Sequence, residues 1–524
     1  MPLRRITTLA LALSATAATL TALPGAAAAR TPDPLRWKPC AEEQQEPAET
    51  AKDVNDSRDS RDSRDSRDSR DSRDSKGAKE PELPPLECAT LDVPLDHADP
   101  GGRRIEIAVS RLASEKPERR RGVLLTNPGG PGISGLGYPA VLAASGLPQE
   151  VRDAYDLIGF DPRGVGRSTP VSCGLTQEQQ GRGNFPAWAN TPDDVVREAR
   201  RARQIAERCA ASPSAPLLPH IGTADVARDM DHIRAALGEE RVSYLGASYG
   251  TQLGTAYASL FPRRGDRIVL DSNLGPGGYD HRAMRLFARG LEDRFPDFAA
   301  YVAAHPEYGL GTTPRQVRAT YQELARRLER EPVQGWDGTA FRGITFDRLY
   351  ADANMPELAE IWQALDTGGP VPEQPPFPGV EPFMSARFAV ICGDSPWPRT
   401  IREYQRDVRA DSRRYPLLGG STANIGPCAY WPRSWVKEPV RVDDQGPSNV
   451  LLVQNERDPG TPLAGAKALR RAFGDRAVLV TAGQGGHGVY PFGVNGCAND
   501  AVTTYLTTGQ RPARDLACAA EPAE

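Results

Sequence analysis

The sequence predicts an α/β fold: a mostly parallel sheet flanked by helices, with a helical segment inserted into it. Three observations carry that prediction. Short apolar runs alternate with helix-period segments across residues 100–275, the pattern of strands joined by crossover helices. From about 276 to 385 the strand-like runs disappear, and helical stretches such as 281–292 and 314–330 lie between Pro and Gly breaks. The alternation then resumes with Asn449–Val453, a helix at about 463–473, and Ala477–Val480. The 524 residues therefore divide into a first core segment (88–275), a mainly helical cap (276–445) and a second core segment (446–524). Length alone, at roughly 150 residues per domain, would have suggested three separate domains.

In chain order, residues 1–29 have the form of a secretory signal. Arg4 and Arg5 precede an Ala/Leu/Thr-rich stretch, Ile6–Leu23, and Ala26–Ala29 offers a small-residue cleavage site. The Thr and Ser content is too polar for a spanning helix, and no other stretch approaches 18 apolar residues. The expectation is a secreted chain, free or wall-associated, with no stable membrane insertion. Residues 30–87 form a leader that holds six copies of Asp-Ser-Arg and a final Asp-Ser over 56–75. That repeat has no apolar side chain to bury, so it is expected to be disordered.

Eight cysteines follow the signal: Cys40, Cys88, Cys173, Cys209, Cys392, Cys428, Cys497 and Cys518. An even number in an exported chain reads as disulfides, and pairing between sequence neighbours (40–88, 173–209, 392–428, 497–518) is the simplest scheme. No Cys-x-x-Cys is present and no His clusters near Cys, so no metal is expected. Charged residues make up 25% and hydrophobic residues 39%, with a net charge of −4. This is a globular balance without a basic face, which excludes a phosphate-driven nucleic-acid binder.

Within the first core segment, Ile105–Ser110, Gly122–Thr126, Tyr155–Phe160, Val242–Leu245 and Arg267–Asp271 read as strands. Helices are expected at about 191–210 and 223–237, the second with Val226, Met230, Ile233 and Leu237 on one face. Two turn-rich loops follow strands: Asn127-Pro-Gly-Gly-Pro-Gly132 and Asp161-Pro-Arg-Gly-Val-Gly-Arg-Ser168.

Gly246-Ala-Ser-Tyr-Gly250 fits G-x-S-x-G between a predicted strand and a predicted helix. That is the context of a nucleophile elbow, which presents Ser248 at a strand end. A serine needs a base to accept its proton. Of His97, His220, His232, His281, His305 and His487, only His487 lies after the returning strands. In the strand order of an α/β-hydrolase the histidine comes last and the acid precedes it. Asp458, after Val450–Val453, fits that place, ahead of Glu456 and Asp475. Backbone N–H groups for an oxyanion are expected from Tyr249 and from Gly130 of the glycine-rich loop. Such a loop could also cradle a phosphate, but it lacks the G-x-x-x-x-G-K-[ST] spacing. No cofactor is expected.

With these residues placed, the chain resembles the α/β-hydrolase serine peptidases of the proline iminopeptidase type, and within them the secreted actinobacterial tripeptidyl aminopeptidases. The resemblance runs from about Cys88 to Cys518. It rests on Val93-Pro-Leu-Asp96, Asn127–Gly135, Asp161–Ser168, Gly246–Thr251, Asp458-Pro-Gly-Thr-Pro462 and Gly486-His-Gly488, in that order. It implies an α/β-hydrolase fold with a helical cap, and Ser248, Asp458 and His487 as catalytic triad. It also implies release of short peptides, typically tripeptides, from free peptide or protein N-termini; the chain itself is expected to be a monomer. Two departures stand out: Ala247 where Gly is more usual, and Ser-Asn-Leu-Gly-Pro after Asp271 where relatives often carry a second Asp before the Pro. Acids of the cap and its rim, such as Glu357, Glu360 and Asp394, are candidates to receive a substrate ammonium. Two alternatives share the residues: an esterase or small-molecule amide hydrolase, and a non-catalytic binding protein on the same fold.

Overall fold

The computed structural model describes residues 35–40, 83–180, 185–373 and 379–521. The signal-like stretch and the Asp-Ser-Arg repeat lie outside the described residues. Ten strands form one sheet: β1 (Lys38–Pro39), β2 (Glu87–Pro94), β3 (Arg104–Leu112), β4 (Gly122–Asn127), β5 (Tyr155–Phe160), β6 (Val242–Ala247), β7 (Gly265–Asp271), β8 (Val450–Arg457), β9 (Ala477–Gly485) and β10 (Leu516–Cys518). Their spatial order is β1-β2-β3-β5-β4-β6-β7-β8-β9-β10. The first three pair antiparallel, β3 meets β5 antiparallel, and every pairing from β5 to β10 is parallel. The fold is thus the expected mostly parallel α/β sheet. Strands β1 and β10 were not legible in the sequence because two or three residues carry no periodicity.

The central strands are apolar on both faces because helices cover both faces. Successive side chains alternate between two cores. Val123, Leu125, Tyr244, Leu270 and Leu452 point into one, and Leu124, Leu245, Val269, Leu451 and Val453 into the other. The second core is closed by α1 (Tyr138–Ala144), α2 (Gln149–Ala154) and the C-terminal helix Gly496–Thr508. The first is closed by α3 (Pro192–Ala211), α4 (Thr223–Ala236) and α5 (Tyr249–Leu260). Helix α3 starts where Thr191 and Asp194 form a reciprocal capping box, which satisfies two otherwise unpaired N–H groups.

Between Asp271 and Val450 the described residues are mainly helical: α6 (His281–Ala304), α7 (Pro314–Arg330), α8 (Gly338–Arg348), α9 (Met355–Thr367), α10 (Val380–Gly393) and α11 (Ile401–Arg414). This insertion is not an independent body. Phe287, Leu291, Phe295, Trp362 and Met384 belong to the same apolar cluster as Tyr244 and Leu270 of the sheet. Full burial of each such side chain contributes about 1.5–3 kcal/mol, so cap and core are welded by ordinary hydrophobic packing.

The cysteines form four disulfides, 40–88, 173–209, 392–428 and 497–518. The third ties the end of α10 to the short helical turn Pro427–Tyr430. It closes a loop of 36 residues, for which the chain-entropy relation gives about 3–4 kcal/mol. The variant Cys392→Ala/Cys428→Ala is therefore expected to unfold at clearly lower urea concentration than the parent. An unchanged midpoint would mean that helix packing alone holds α10.

Candidate active site

The loops at the C-terminal ends of β4, β6, β7, β8 and β9 converge, as they do in open parallel sheets whose crevice lies beyond the strand ends. Ser248 sits between β6 and α5 with φ 56 and ψ −121, a conformation that costs a non-glycine residue on the order of 1–3 kcal/mol. Its neighbours explain the G-x-S-x-G spacing. A Cβ on Gly246 would come within 2.6 Å of the Gly250 carbonyl oxygen, and one on Gly250 within 2.8 Å of the Asn127 carbonyl oxygen. Ala247 takes the strand position without such a conflict. The Ser248 N–H donates to the Asp271 carbonyl at 2.9 Å. The Ser248 carbonyl accepts from the Thr251 N–H at 2.9 Å and its hydroxyl at 2.6 Å. The Ser248 hydroxyl makes no hydrogen bond among the described residues.

Asp458 and His487 meet. The imidazole Nδ1 lies 3.0 Å from both carboxylate oxygens of Asp458. The carboxylate also accepts from the N–H groups of Gly460 and Thr461 at 2.8 Å and from the Thr461 hydroxyl at 2.8 Å. It is 1% exposed. Among the described residues, neither Glu456 nor Asp475 makes a hydrogen bond or ion pair with His487, whose carboxylate partner is Asp458. Burial works against a charged imidazole, but the charge and hydrogen bond of Asp458, and the charge of Asp271, outweigh it. His487 is therefore held above the 6.5 of an ordinary histidine. From the cap, the Tyr350 carbonyl accepts the His487 N–H at 2.7 Å, and the two rings lie 4.6 Å apart. The other histidines are elsewhere: His97 stacks on His232 beside the buried Arg163–Asp229 pair, and His281 packs against Trp397 and Tyr404.

The loop 127–132 lies against the elbow. At Gly129, with φ +107, a Cβ would fall 2.7 Å from the Ala247 carbonyl oxygen, 2.9 Å from Ser248 Cβ and 3.2 Å from the Tyr249 nitrogen. Only glycine fits that approach. The Gly129 N–H is already used, donating to Asn127 Oδ1 at 3.0 Å, while the Gly130 N–H has no acceptor among the described residues. Tyr249 supplies the first N–H of α5, which has no acceptor inside its helix. The Gly130 carbonyl is held from the cap by Arg387, whose Nη1 donates at 3.0 Å. The loop's far end is pinned by the buried Asp161, which accepts from the Ser134 hydroxyl and the Gly135 N–H. This gives the Asp161–Ser168 motif an architectural role.

The acids considered for an ammonium group fall away from an open site. Asp394 is a strut from α10 to the core: it accepts from the Thr223 N–H and hydroxyl and from Gln252. Glu357 pairs with Arg348, and Glu360 is exposed near Tyr308. One carboxylate that the sequence did not single out has no such partner. Asp347, at the end of α8, is exposed and makes no side-chain hydrogen bond or ion pair among the described residues. Protein nevertheless surrounds it enough that burial pushes it up to about 6, against the opposing charges of Arg348 and Arg387. Tyr350, whose N–H donates to the Asp347 carbonyl, links it to His487, and Arg387 links it to Gly130. No helical period or motif could have marked Asp347, because its significance lies in what the cap folds against.

The family model described as TAP-like protein matches residues 415–518. The chain is 37% identical over 455 residues to a tripeptidyl aminopeptidase of Streptomyces lividans, covering 83% of this chain and 84% of that one. It is 30% identical over 465 residues to serine protease Hip1 of Mycobacterium tuberculosis (82% and 87% covered). It is 32% identical over 461 residues to a protein of the same species named carboxylesterase B (84% and 87% covered).

The electrostatics of His487 can be tested without any substrate. In ¹⁵N-histidine spectra of the enzyme, His487 is expected to titrate above 6.5. In Asp458→Asn, burial is left largely unopposed and the titration should move downward. A midpoint that stays put would remove Asp458 as the cause.

Proposed function

The chain belongs to the tripeptidyl aminopeptidase-like serine peptidases of the α/β-hydrolase fold, and from that premise we propose that it is an exported exopeptidase that releases short peptides, tripeptides foremost, from free N-termini. The observation that carries the specificity is Asp347, an exposed cap carboxylate with no side-chain partner among the described residues, three residues from the Tyr350 that holds His487. An extended tripeptide spans about 10 Å, so its ammonium must be met by a cap group set back from the nucleophile. The position before Pro276 is Gly275 and offers no charge, so a cap acid is the candidate for the ammonium.

In this reading Ser248 Oγ attacks the carbonyl of the third residue while His487 Nε2 takes the hydroxyl proton. Asp458 holds the ring in the tautomer with hydrogen on Nδ1 and offsets the charge that forms. The N–H groups of Gly130 and Tyr249 donate to the oxyanion. Collapse breaks the C–N bond, and His487 returns its proton to the leaving amine. Water, deprotonated by the same imidazole, then cleaves the acyl-enzyme and restores Ser248. Export is supported by Arg4, Arg5 and the Ala-rich stretch after them, and by four disulfides, which persist in oxidising surroundings. Among the described residues no helix is long and apolar enough to cross a membrane.

The esterase reading draws on the name of one relative, and a substrate panel separates the two. Free tripeptide amides should be cleaved in preference to N-acetylated tripeptide amides and short aryl esters. A preference for blocked peptides or esters would overturn the exopeptidase assignment, and full activity in Ser248→Ala would overturn the nucleophile. Asp347→Asn should lower kcat/KM for free tripeptide amides about 10- to 100-fold, the loss of one charge-assisted contact, and leave N-acetylated substrates unchanged. The parent's KM for free substrates should rise as pH falls through about 6, where Asp347 takes up a proton. Equal losses on free and blocked substrates would remove Asp347 from ammonium recognition.

A further inference from the structure

Asp271, the last residue of β7, is 1% exposed and takes no part in the triad. Its backbone and side chain face two different catalytic segments. The carbonyl accepts the N–H of Ser248 at 2.9 Å. The carboxylate accepts the N–H of Val489 at 2.9 Å and of Tyr490 at 2.7 Å, the second and third residues after His487. The next residue extends the joint: the Ser272 hydroxyl donates to Asp271 Oδ1 at 2.9 Å and accepts the Gly488 N–H at 2.9 Å. Ser272 adopts φ +61 to do so, a left-handed conformation that serine rarely takes. Three consecutive N–H groups after His487 are thus bound to two consecutive residues at the end of the strand beside the nucleophile.

We propose that Asp271, assisted by Ser272, is a positioning residue that holds the His487 ring in reach of Ser248 by fastening the histidine loop to the strand that carries the nucleophile's backbone partner. The inference rests on the reading of Ser248 and His487 as nucleophile and base. Asp458 fixes the imidazole through Nδ1, while Tyr350 and Asn455 hold the backbone at His487 and on either side of it; the Asp271 joint adds the hold on the three N–H groups that follow the histidine. A misplacement of about 1 Å between reacting groups can cost on the order of 100-fold in rate. A neutral isostere rebuilds only part of the joint, because Oδ1 as well as Oδ2 accepts. An Asn amide oxygen can replace Oδ2, but its NH2 then faces the Ser272 hydroxyl and the Val489 N–H where Oδ1 accepts.

Asp271→Asn should lower kcat about 10- to 100-fold with KM within about twofold, and slow inactivation by an alkyl fluorophosphonate in parallel. The titratable groups facing the Asp271 carboxylate are His487 on the loop after β9 and Tyr138 on α1. Removing the Asp271 charge should therefore also move the His487 titration downward. Ser272→Ala, which leaves the carboxylate in place, should give a smaller fall in kcat, and the double variant less than the product of the two. Unchanged kcat and His487 titration in Asp271→Asn would overturn the proposal. So would a fall in melting temperature with kcat intact, which is what a merely structural carboxylate gives. Ser248→Ala separates the two levels. Residual full activity there defeats the nucleophile assignment, whereas an inactive Ser248→Ala beside a fully active Asp271→Asn defeats only the positioning role.

Discussion

Ser248 occupies a backbone conformation that a free chain would abandon, and the surrounding structure is arranged to keep it there. The strain, of order 1–3 kcal/mol, is opposed by the N–H bond to Asp271, by the double acceptance of the Ser248 carbonyl from Thr251, and by three close backbone approaches. Those approaches, at Gly246, Gly250 and Gly129, exclude any side chain. They bring the loop after β4 against the first turn of α5, where the unpaired N–H groups of Gly130 and Tyr249 lie beside the serine. The constraint that bends the chain at Ser248 thus also places the two N–H groups that the proposed mechanism uses.

The cap enters this centre directly. Tyr350 accepts the backbone N–H of His487 and packs on its ring, Arg387 holds the carbonyl of Gly130, and Asp394 braces α10 against Thr223 and Gln252 of the core. The apolar cluster running from Tyr244 to Trp362 makes these contacts part of one packed body. Arg387 holds the carbonyl of Gly130 and its charge acts on Asp347, so the two groups that the proposed reading uses share one neighbour.

The sequence announces Ser248 because a sharp turn between strand and helix demands glycines at fixed spacing, and that demand is local. His487 and Asp458 follow from strand order, a topological regularity that survives without contacts. Each cysteine pairs with its neighbour in sequence, the simplest scheme an even count allows. Asp271, Asp347 and Arg387 leave no comparable trace. Each is an ordinary residue in its own strand or helix, and each gains its role from a segment 40 to 257 positions away or from the closure of the cap. Glu357, Glu360 and Asp394 show the converse: acids in the right region whose partners, once the chain is folded, are already chosen or lie elsewhere.

The most direct measurement is capture of the covalent intermediate. The enzyme, mixed with a free tripeptide aryl ester and quenched in acid within milliseconds, is digested and mapped by mass. The account predicts a tripeptidyl increment on the fragment that contains Ser248, absent in Ser248→Ala. An increment on any other fragment, or steady turnover with none at any quench time, would contradict it.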